Sequence, residues 1–169
     1  MIIETERLII RPTTLEDAEA AYQVNQDPEV SRYTCDGGVK TREEIYAILK
    51  NTTLADYKKY GYGRMSVIYK PENCYIGFCG LKYLPDLDTV DIGYRFAQRY
   101  WGQGIATEAA RPFIRFGFET LGLKEIIGLV VPENTASSNV LKKLGFRLVD
   151  LFEYDEETVE KYIIFPENG

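Results

Sequence analysis

Apolar positions along the chain switch between strand-like and helix-like spacing, and the switches predict the elements. Residues 7–11 (RLIIR) read as a first strand. Thr14-Leu15-Glu16-Asp17 resembles a capping box with Asp in the Glu place, and LEDAEAAYQV follows with helical spacing until Asp27-Pro28 ends or redirects it. A glycine-containing loop over residues 34–40 leads to a second box, Thr41-Arg42-Glu43-Glu44. The helix after it is expected to run to about Tyr60, with Ile45, Ile48 and Leu49 on one face. Residues 64–70, 75–84 and 89–96 then read as an antiparallel meander with turns at Pro71-Glu72-Asn73 and Pro85-Asp86-Leu87-Asp88. A long apolar stretch over residues 105–121 reads as a helix with Gly122 as its C-cap. Residues 126–131 (IIGLVV) read as a fully buried strand ended by Pro132, and a helix over residues 136–144 is capped by Gly145. A hairpin of residues 146–154 and 159–165, turning at DEET, closes the chain. The order β, α, α, β, β, β, α, β, α, β, β implies an α+β fold with a mixed sheet. No linker or repeat divides it, so one domain is expected over residues 1–169.

Composition narrows the function classes. A chain of 169 residues with 45% hydrophobic and 27% charged residues has the means to bury a core. No run of about 18 apolar residues offers a membrane span. The opening MIIETERLII lacks a basic region followed by an apolar run and a cleavage site, so a cytoplasmic protein is expected. Lys plus Arg number 20 against 26 Asp plus Glu, a net charge of −6. That balance lacks the footprint of a nucleic-acid binder; it serves solubility and weakly favours cationic partners, amines among them. The chain has no His, which removes Ser-His-Asp triads, Cys-His pairs and His-based metal sites, and no metal is expected. Cys35, Cys74 and Cys79 form no CxxC pair and read as free thiols of a reducing cytosol.

The chemistry concentrates in residues 99–109 (RYWGQGIATEA), which follow a strand and open a helix. Gly102 and Gly104 allow a tight turn and a close backbone approach. A helix start carries unsatisfied N–H groups and partial positive charge, so the amides of Gln103, Gly104, Ile105, Ala106 and Thr107 form a natural pyrophosphate cradle. The Walker pattern fails because Ile105-Ala106 stands where Lys-Ser/Thr belongs. The dinucleotide fingerprint fails because Thr107 replaces the third Gly.

Four ordered pieces resemble the GNAT superfamily of N-acetyltransferases, its RimJ/RimL-type branch most closely. They are TERLIIRPTTLEDAEA from Thr5, VDIGYRF from Val90, R-x-x-G-x-G over Arg99, Gly102 and Gly104 continued as IATEA, and N-x-x-S-x-x-V-L-x-K-L-G-F from Asn134 to Phe146. The resemblance implies the GNAT fold, a mixed, mostly antiparallel sheet of about six or seven strands flanked by about four helices. It implies acetyl-CoA as co-substrate, its pyrophosphate on the 103–107 amides and its pantetheine arm paired along Tyr94, Arg95 and Phe96 in a gap between splayed strands. Asn134 and Ser137 are expected at the ligand, whereas Ser138 and Asn139 are expected to cap the helix.

For direct attack of an amine on the thioester, the resemblance offers Asp91 as general base, a poor one at an ordinary Asp pKa unless desolvated or working through water. Glu108 is read as a structural hydrogen-bonding group favourable to the helix dipole. Many relatives of this superfamily place a thiolate-protonating Tyr where this chain has Leu141, so Ser137 or a bound water is expected near the sulfur. A peptide or protein N-terminal α-amine, neutral more often than Lys near pH 7, is the favoured acceptor. Small amines such as a polyamine or aminoglycoside, and a non-catalytic acyl-CoA-binding module, are the alternatives. Tyr33, Cys35, Asp36 and Tyr62 are candidate acceptor-wall residues. Trp101, Tyr57, Tyr60 and Cys79 are read as packing residues, and Pro112 as a helix irregularity. A monomer or homodimer that binds neither nucleic acid nor membrane completes the expectation.

Overall fold

Local chemistry sets the boundaries of the elements. The computed structural model describes residues 1–33 and 38–167. Strand β1 (Ile3–Glu4) and strand β2 (Leu8–Pro12) precede a 3-10 turn (Leu15–Asp17) that leads into helix α1 (Ala18–Gln26). Asp27 caps a short helix α2 (Pro28–Ser31), its Oδ1 accepting from Glu29 N at 2.9 Å. Thr41 and Glu44 form the expected reciprocal box at α3 (Arg42–Ile48): Glu44 N donates to Thr41 Oγ1 at 3.1 Å, and Thr41 N to Glu44 Oε1 at 3.0 Å. The helix continues through a π-helical stretch (Leu49–Thr53) into α4 (Leu54–Tyr60), which Gly61 ends at φ +83°.

The meander is formed by β3 (Met65–Tyr69), β4 (Cys74–Leu84) and β5 (Thr89–Phe96). Helix α5 (Ile105–Glu119), β6 (Ile126–Val130), α6 (Thr135–Lys143), β7 (Arg147–Tyr154) and β8 (Glu157–Ile164) complete the chain. The sheet has eight strands in the order β1-β2-β3-β4-β5-β6-β8-β7. That exceeds the expected six or seven, because the two-residue β1 is too short to show a period in sequence. The closing turn is tighter than expected: Asp155 and Glu156 alone make it, both at positive φ, the geometry of a two-residue hairpin turn. Among the described residues no helix is long and apolar enough to cross a membrane.

Strand alternation assigns two faces. Cys79↔Tyr94, Leu81↔Ile92 and Tyr83↔Val90 share one face, and Phe78↔Arg95, Gly80↔Gly93 and Lys82↔Asp91 share the other. The first face packs against Ile105, Ala109, Ala110 and Phe113 of α5 in the main core. Gly117 lets α5 approach closely, since a Cβ there would lie 2.8 Å from Ile126 Cδ1. The second face lies toward α1 and α4 and carries the polar groups; Lys82 Nζ pairs with Asp56 Oδ2 at 2.7 Å.

Asp17 ties the first helical segment to the sheet. Arg11 grips its carboxylate with both Nη atoms at 2.8 Å, Ser66 Oγ donates at 2.9 Å and Thr14 N at 3.0 Å. Burial acts to raise the Asp17 pKa, but the bonds from Arg11, Thr14 and Ser66 outweigh it and hold the carboxyl below its ordinary value. Its contribution is therefore complete at neutral pH and is lost as pH falls through that lowered value. Asp17→Ala leaves Arg11 and Ser66 without their partner. It is expected to cost about 2–4 kcal/mol, read as a lower urea midpoint at pH 7, and the gap between variant and parent closes in strong acid.

Candidate active site

The loop between β5 and α5 is built to stay open. Trp101 is 46% exposed rather than a buried anchor, and its Nε1 donates to Phe96 O at 2.8 Å, pinning the loop to the end of β5. Gln103 Nε2 donates to Arg99 O at 3.0 Å. Gly102 and Gly104 adopt φ of +74° and +79°, a region that costs other residues about 1–2 kcal/mol. A side chain at Gly102 would meet nothing within 4 Å, and one at Gly104 only Arg7 Nη2 at 3.7 Å. Ile105 is buried and anchors the first turn of α5, whose leading amides have no partner within the helix. Glu108 braces that turn from below: it accepts from Thr5 Oγ1 at 2.6 Å, Arg7 Nε at 2.7 Å and Arg7 N at 2.9 Å. Burial opposes its charge, but these three bonds prevail and keep its pKa below the ordinary Glu range. Glu108 is thus committed to structure, as its position in sequence suggests. Beside this turn, an open depression is lined by Thr5, Gly104, Thr107, Arg111 and Arg115.

The sheet divides next to this loop. Parallel β5 and β6 register at Asp91↔Ile127 alone, whereas β5 pairs with β4 along its whole length. Beyond Asp91, β5 and β6 register no further pair. Tyr94 spans this gap. Its hydroxyl donates to Ser137 O at 3.1 Å and lies 3.0 Å from Ser137 Oγ, and burial pushes the phenol pKa far up. Asn134 caps α6, its Oδ1 accepting from Ser137 N at 3.2 Å; only its amide nitrogen remains for another partner. Ser138 Oγ lies 3.4 Å from both Asn134 O and Glu160 Oε1, and its single O–H can donate to either. Leu141 is buried against Gly128, where an added Cβ would lie 2.7 Å from Leu141 Cδ1. No phenol stands at that position.

A cleft of about 490 Å³ runs from this gap across the second face of the sheet. Asp91, Tyr94, Asn134 and Ser137 line one part, and Val24 of α1, Ile45 of α3, Thr53 and Asp56 another. Tyr33 lines it, as expected, whereas Tyr62 does not. Tyr62 instead packs beside Tyr60, with ring centroids 6.4 Å apart. Cys35 and Asp36 lie outside the described residues. Asp91 is buried at the cleft wall, with Arg64 Nη2 2.9 Å from its Oδ1. That contact is close but poorly aligned, so Oδ1 has no directed hydrogen bond. Burial raises the Asp91 pKa, and the charge and polar contact of Arg64, followed by the charge of Lys82, oppose the rise only in part. Sequence reasoning missed Arg64, Lys82 and Asp56; each is an ordinary charged residue in its own segment, and only the pairing of β4 with β5 and the packing of the segments beside them gather these residues near Asp91. Cys79 is a core residue, its thiol pushed up to about 12 by burial.

The described sheet opens at its one parallel pair, and a glycine-turned helix start stands beside the opening. The family model of the acetyltransferase (GNAT) domain matches residues 7–147. An uncharacterized N-acetyltransferase p20 of Bacillus licheniformis is 34% identical over 147 residues, covering 85% of this chain and 80% of that protein. A GNAT-family acetyltransferase of Bacillus anthracis superposes with TM-score 0.81 at 31% identity, covering 98% of both chains. The ribosomal L7/L12 α-N-protein acetyltransferase RimL, solved with coenzyme A, superposes with TM-score 0.80 over 98% of both chains, and at 19% identity it shares the fold. The chain belongs to the GNAT family and is an acetyl-CoA-dependent N-acetyltransferase, which displaces the non-catalytic alternative. For the Glu108 brace, Glu108→Ala is expected to cost about 1.5–3 kcal/mol by urea titration, because it strands the Arg7 and Thr5 donors together.

Proposed function

We propose that this enzyme acetylates a peptide or protein N-terminal α-amine by direct attack on acetyl-CoA. The single observation that carries the reading is the continuous cleft from the β5–β6 gap to the α1–α3 wall, with the buried Asp91 carboxylate on its side. It supports a thioester and an amine meeting in one desolvated space without a covalent enzyme intermediate. In this reading the amides of Gln103, Gly104, Ile105, Ala106 and Thr107 hold the pyrophosphate behind Gly102, and the edge of β5 at Tyr94, Arg95 and Phe96 that faces the gap receives the pantetheine arm as an added strand. The Asn134 amide nitrogen donates to the same arm.

The reaction needs a neutral nucleophile. Asp91 takes the ammonium proton, directly or through one water, and burial makes it a better base than an ordinary Asp. The nitrogen attacks the carbonyl carbon, the tetrahedral intermediate releases its extra N–H proton to water and collapses, and the C–S bond breaks, the thiolate then taking a proton from solvent. Ser137 Oγ–H donates a hydrogen bond to the departing thiolate, a role that needs no perturbed acidity. An α-amine suits this site because a sizeable minority of such amines is already neutral near pH 7. Polycationic acceptors suit it less: of the cleft carboxylates, Asp91 on β5 and Asp56 on α4 each face a cation of the protein, Arg64 and Lys82, and Asp155 lies apart at the β7–β8 turn. The RimL neighbour's own acceptor agrees with the α-amine reading, though at 19% identity it adds weight only through the fold.

Mass spectrometry after incubation with acetyl-CoA and mixed peptides, polyamines and aminoglycosides tests the acceptor. Acetyl groups are expected on peptide N-termini, and exclusive labelling of small amines would refute the peptide reading. Gly104→Val forces a β-branched residue into positive φ. It is expected to weaken acetyl-CoA binding roughly tenfold or more by calorimetry, and unchanged affinity would remove the loop assignment. Asp91→Asn is expected to lower kcat by about 10²–10⁴-fold. Because the base must be ionised, parent activity falls as pH drops through the raised Asp91 value; full turnover in Asp91→Ala would dismiss it as the base.

A further inference from the structure

Arg64 has no place in any motif, yet the fold puts it on the lining of the cleft beside Asp91. It reaches across two strands: Nη1 donates to Gly80 O at 2.7 Å and contacts Asp91 O at 3.4 Å, while Nη2 sits 2.9 Å from Asp91 Oδ1. The group lies directly over Gly93. A Cβ at that position would come within 2.5 Å of Arg64 Cζ and Nη2. Gly93 has an ordinary backbone conformation, so no turn requires the glycine; what it leaves room for is the guanidinium. The side chain is only 20% exposed and is held at three points, which fixes its distance from Asp91.

We propose that Arg64, seated on Gly93, is a positioning residue of the acetyl transfer that holds the Asp91 carboxylate ionised and aimed at the incoming amine. The proposal rests on the reading of Asp91 as the base. A carboxylate this deep would keep its proton if left alone, and a protonated Asp91 cannot accept another from the ammonium. Arg64 counters that desolvation from one side and leaves the cleft-facing side open. Its poorly aligned contact with Oδ1 supplies charge without spending the oxygen in a strong hydrogen bond. Other charged or titratable groups near Asp91 include Lys82 on the neighbouring strand and Asp56 of α4, which Lys82 pairs. Tyr94 and Arg95 of β5, Tyr75 of β4, Tyr33, Lys40, and Tyr154 and Asp155 at the β7–β8 turn line the same cleft. Arg64 is the cation in contact.

The test reads the Asp91 titration directly. Carboxyl ¹³C NMR on Asp-labelled enzyme, with the Asp91 signal assigned by its loss in D91N, is run on the parent, R64M, R64K and G93A. In R64M the Asp91 midpoint is expected to rise by about one to three units, the usual effect of removing an adjacent opposite charge. R64K keeps the charge without the fork and should rise less. G93A, which displaces only the end of a flexible side chain, should rise in the same direction and serves if R64M fails to fold. Turnover is measured in parallel at pH 6 and pH 8, with the ratio to parent cancelling the acceptor amine's own ionisation. R64M should lose at least tenfold more at pH 6 than at pH 8. An Asp91 midpoint unmoved in both R64M and G93A overturns the role of Arg64 and leaves the base assignment standing. Equal activity losses at both pH values overturn it as well, since they mark a merely structural ion pair. Unimpaired turnover in D91N instead removes the base assignment, whatever Arg64 does to the midpoint.

Discussion

The structure depends on a sheet that stops pairing. Backbone N–H and C=O groups inside a protein are costly to leave unmatched, so an open seam survives only where something else satisfies it or solvent reaches it. Here the seam follows from connectivity. Five strands from β1 to β5 run as an antiparallel series, β6 joins β5 in parallel after the α5 crossover, and the two register at Asp91↔Ile127 only. On the far side β6 is fully committed to β8. The gap is therefore bounded by two well-anchored arms. That is what a ligand needs in order to add itself as a strand without an ordering cost to the protein.

Charge is handled differently at three carboxylates, two buried and one half-buried, and the difference separates scaffold from chemistry. Asp17 receives four directed hydrogen bonds and Glu108 three, and both are held below their ordinary pKa. Apart from the local bond from Thr14 N, each of those bonds ties one chain segment to another. Asp91 has a cation beside it but no aligned donor on Oδ1, and its pKa moves up instead. A group that is satisfied has no reason to accept a proton; a group that is desolvated and incompletely satisfied does. Neighbourhood, rather than residue type, makes one of three acids the candidate base.

Periodicity and punctuation made most of the fold legible. The meander, the buried IIGLVV strand, the long helix from Ile105 and the Thr41–Glu44 box all stand where their local patterns put them, because each is decided within a window of a few residues. The glycine loop was legible for the same reason. What stayed hidden is non-local or too short. Strand β1 is two residues, and the π-helical stretch at Leu49–Thr53 follows no sequence signal. Arg64 meets Asp91 across 27 positions through two hairpins, and no spacing rule reaches that far. Asn134 shows a middle case. Its cap of α6 was one of two roles its position allowed, and one amide can serve both, with its oxygen turned to the helix and its nitrogen away from it.

The leucine at position 141 follows from the same packing logic. Helix α6 must lie close to β6 if its N-terminus is to stand at the seam. Gly128 and Leu141 provide that closeness, the missing Cβ of one receiving the methyl groups of the other. A position used to press helix against strand is not available for a polar task. Ser137 lies one turn earlier on the same helical face, where α6 begins and the seam opens. Its neighbour there is the Tyr94 hydroxyl, contributed by the opposite arm. The hydroxyls of Ser137 and Tyr94 thus meet across the gap because α6 begins there, while one turn deeper the interface is apolar and closed. In the proposed reaction the leaving sulfur would meet the edge of the seam rather than its base, and that is where this sequence has placed its hydrogen-bonding groups.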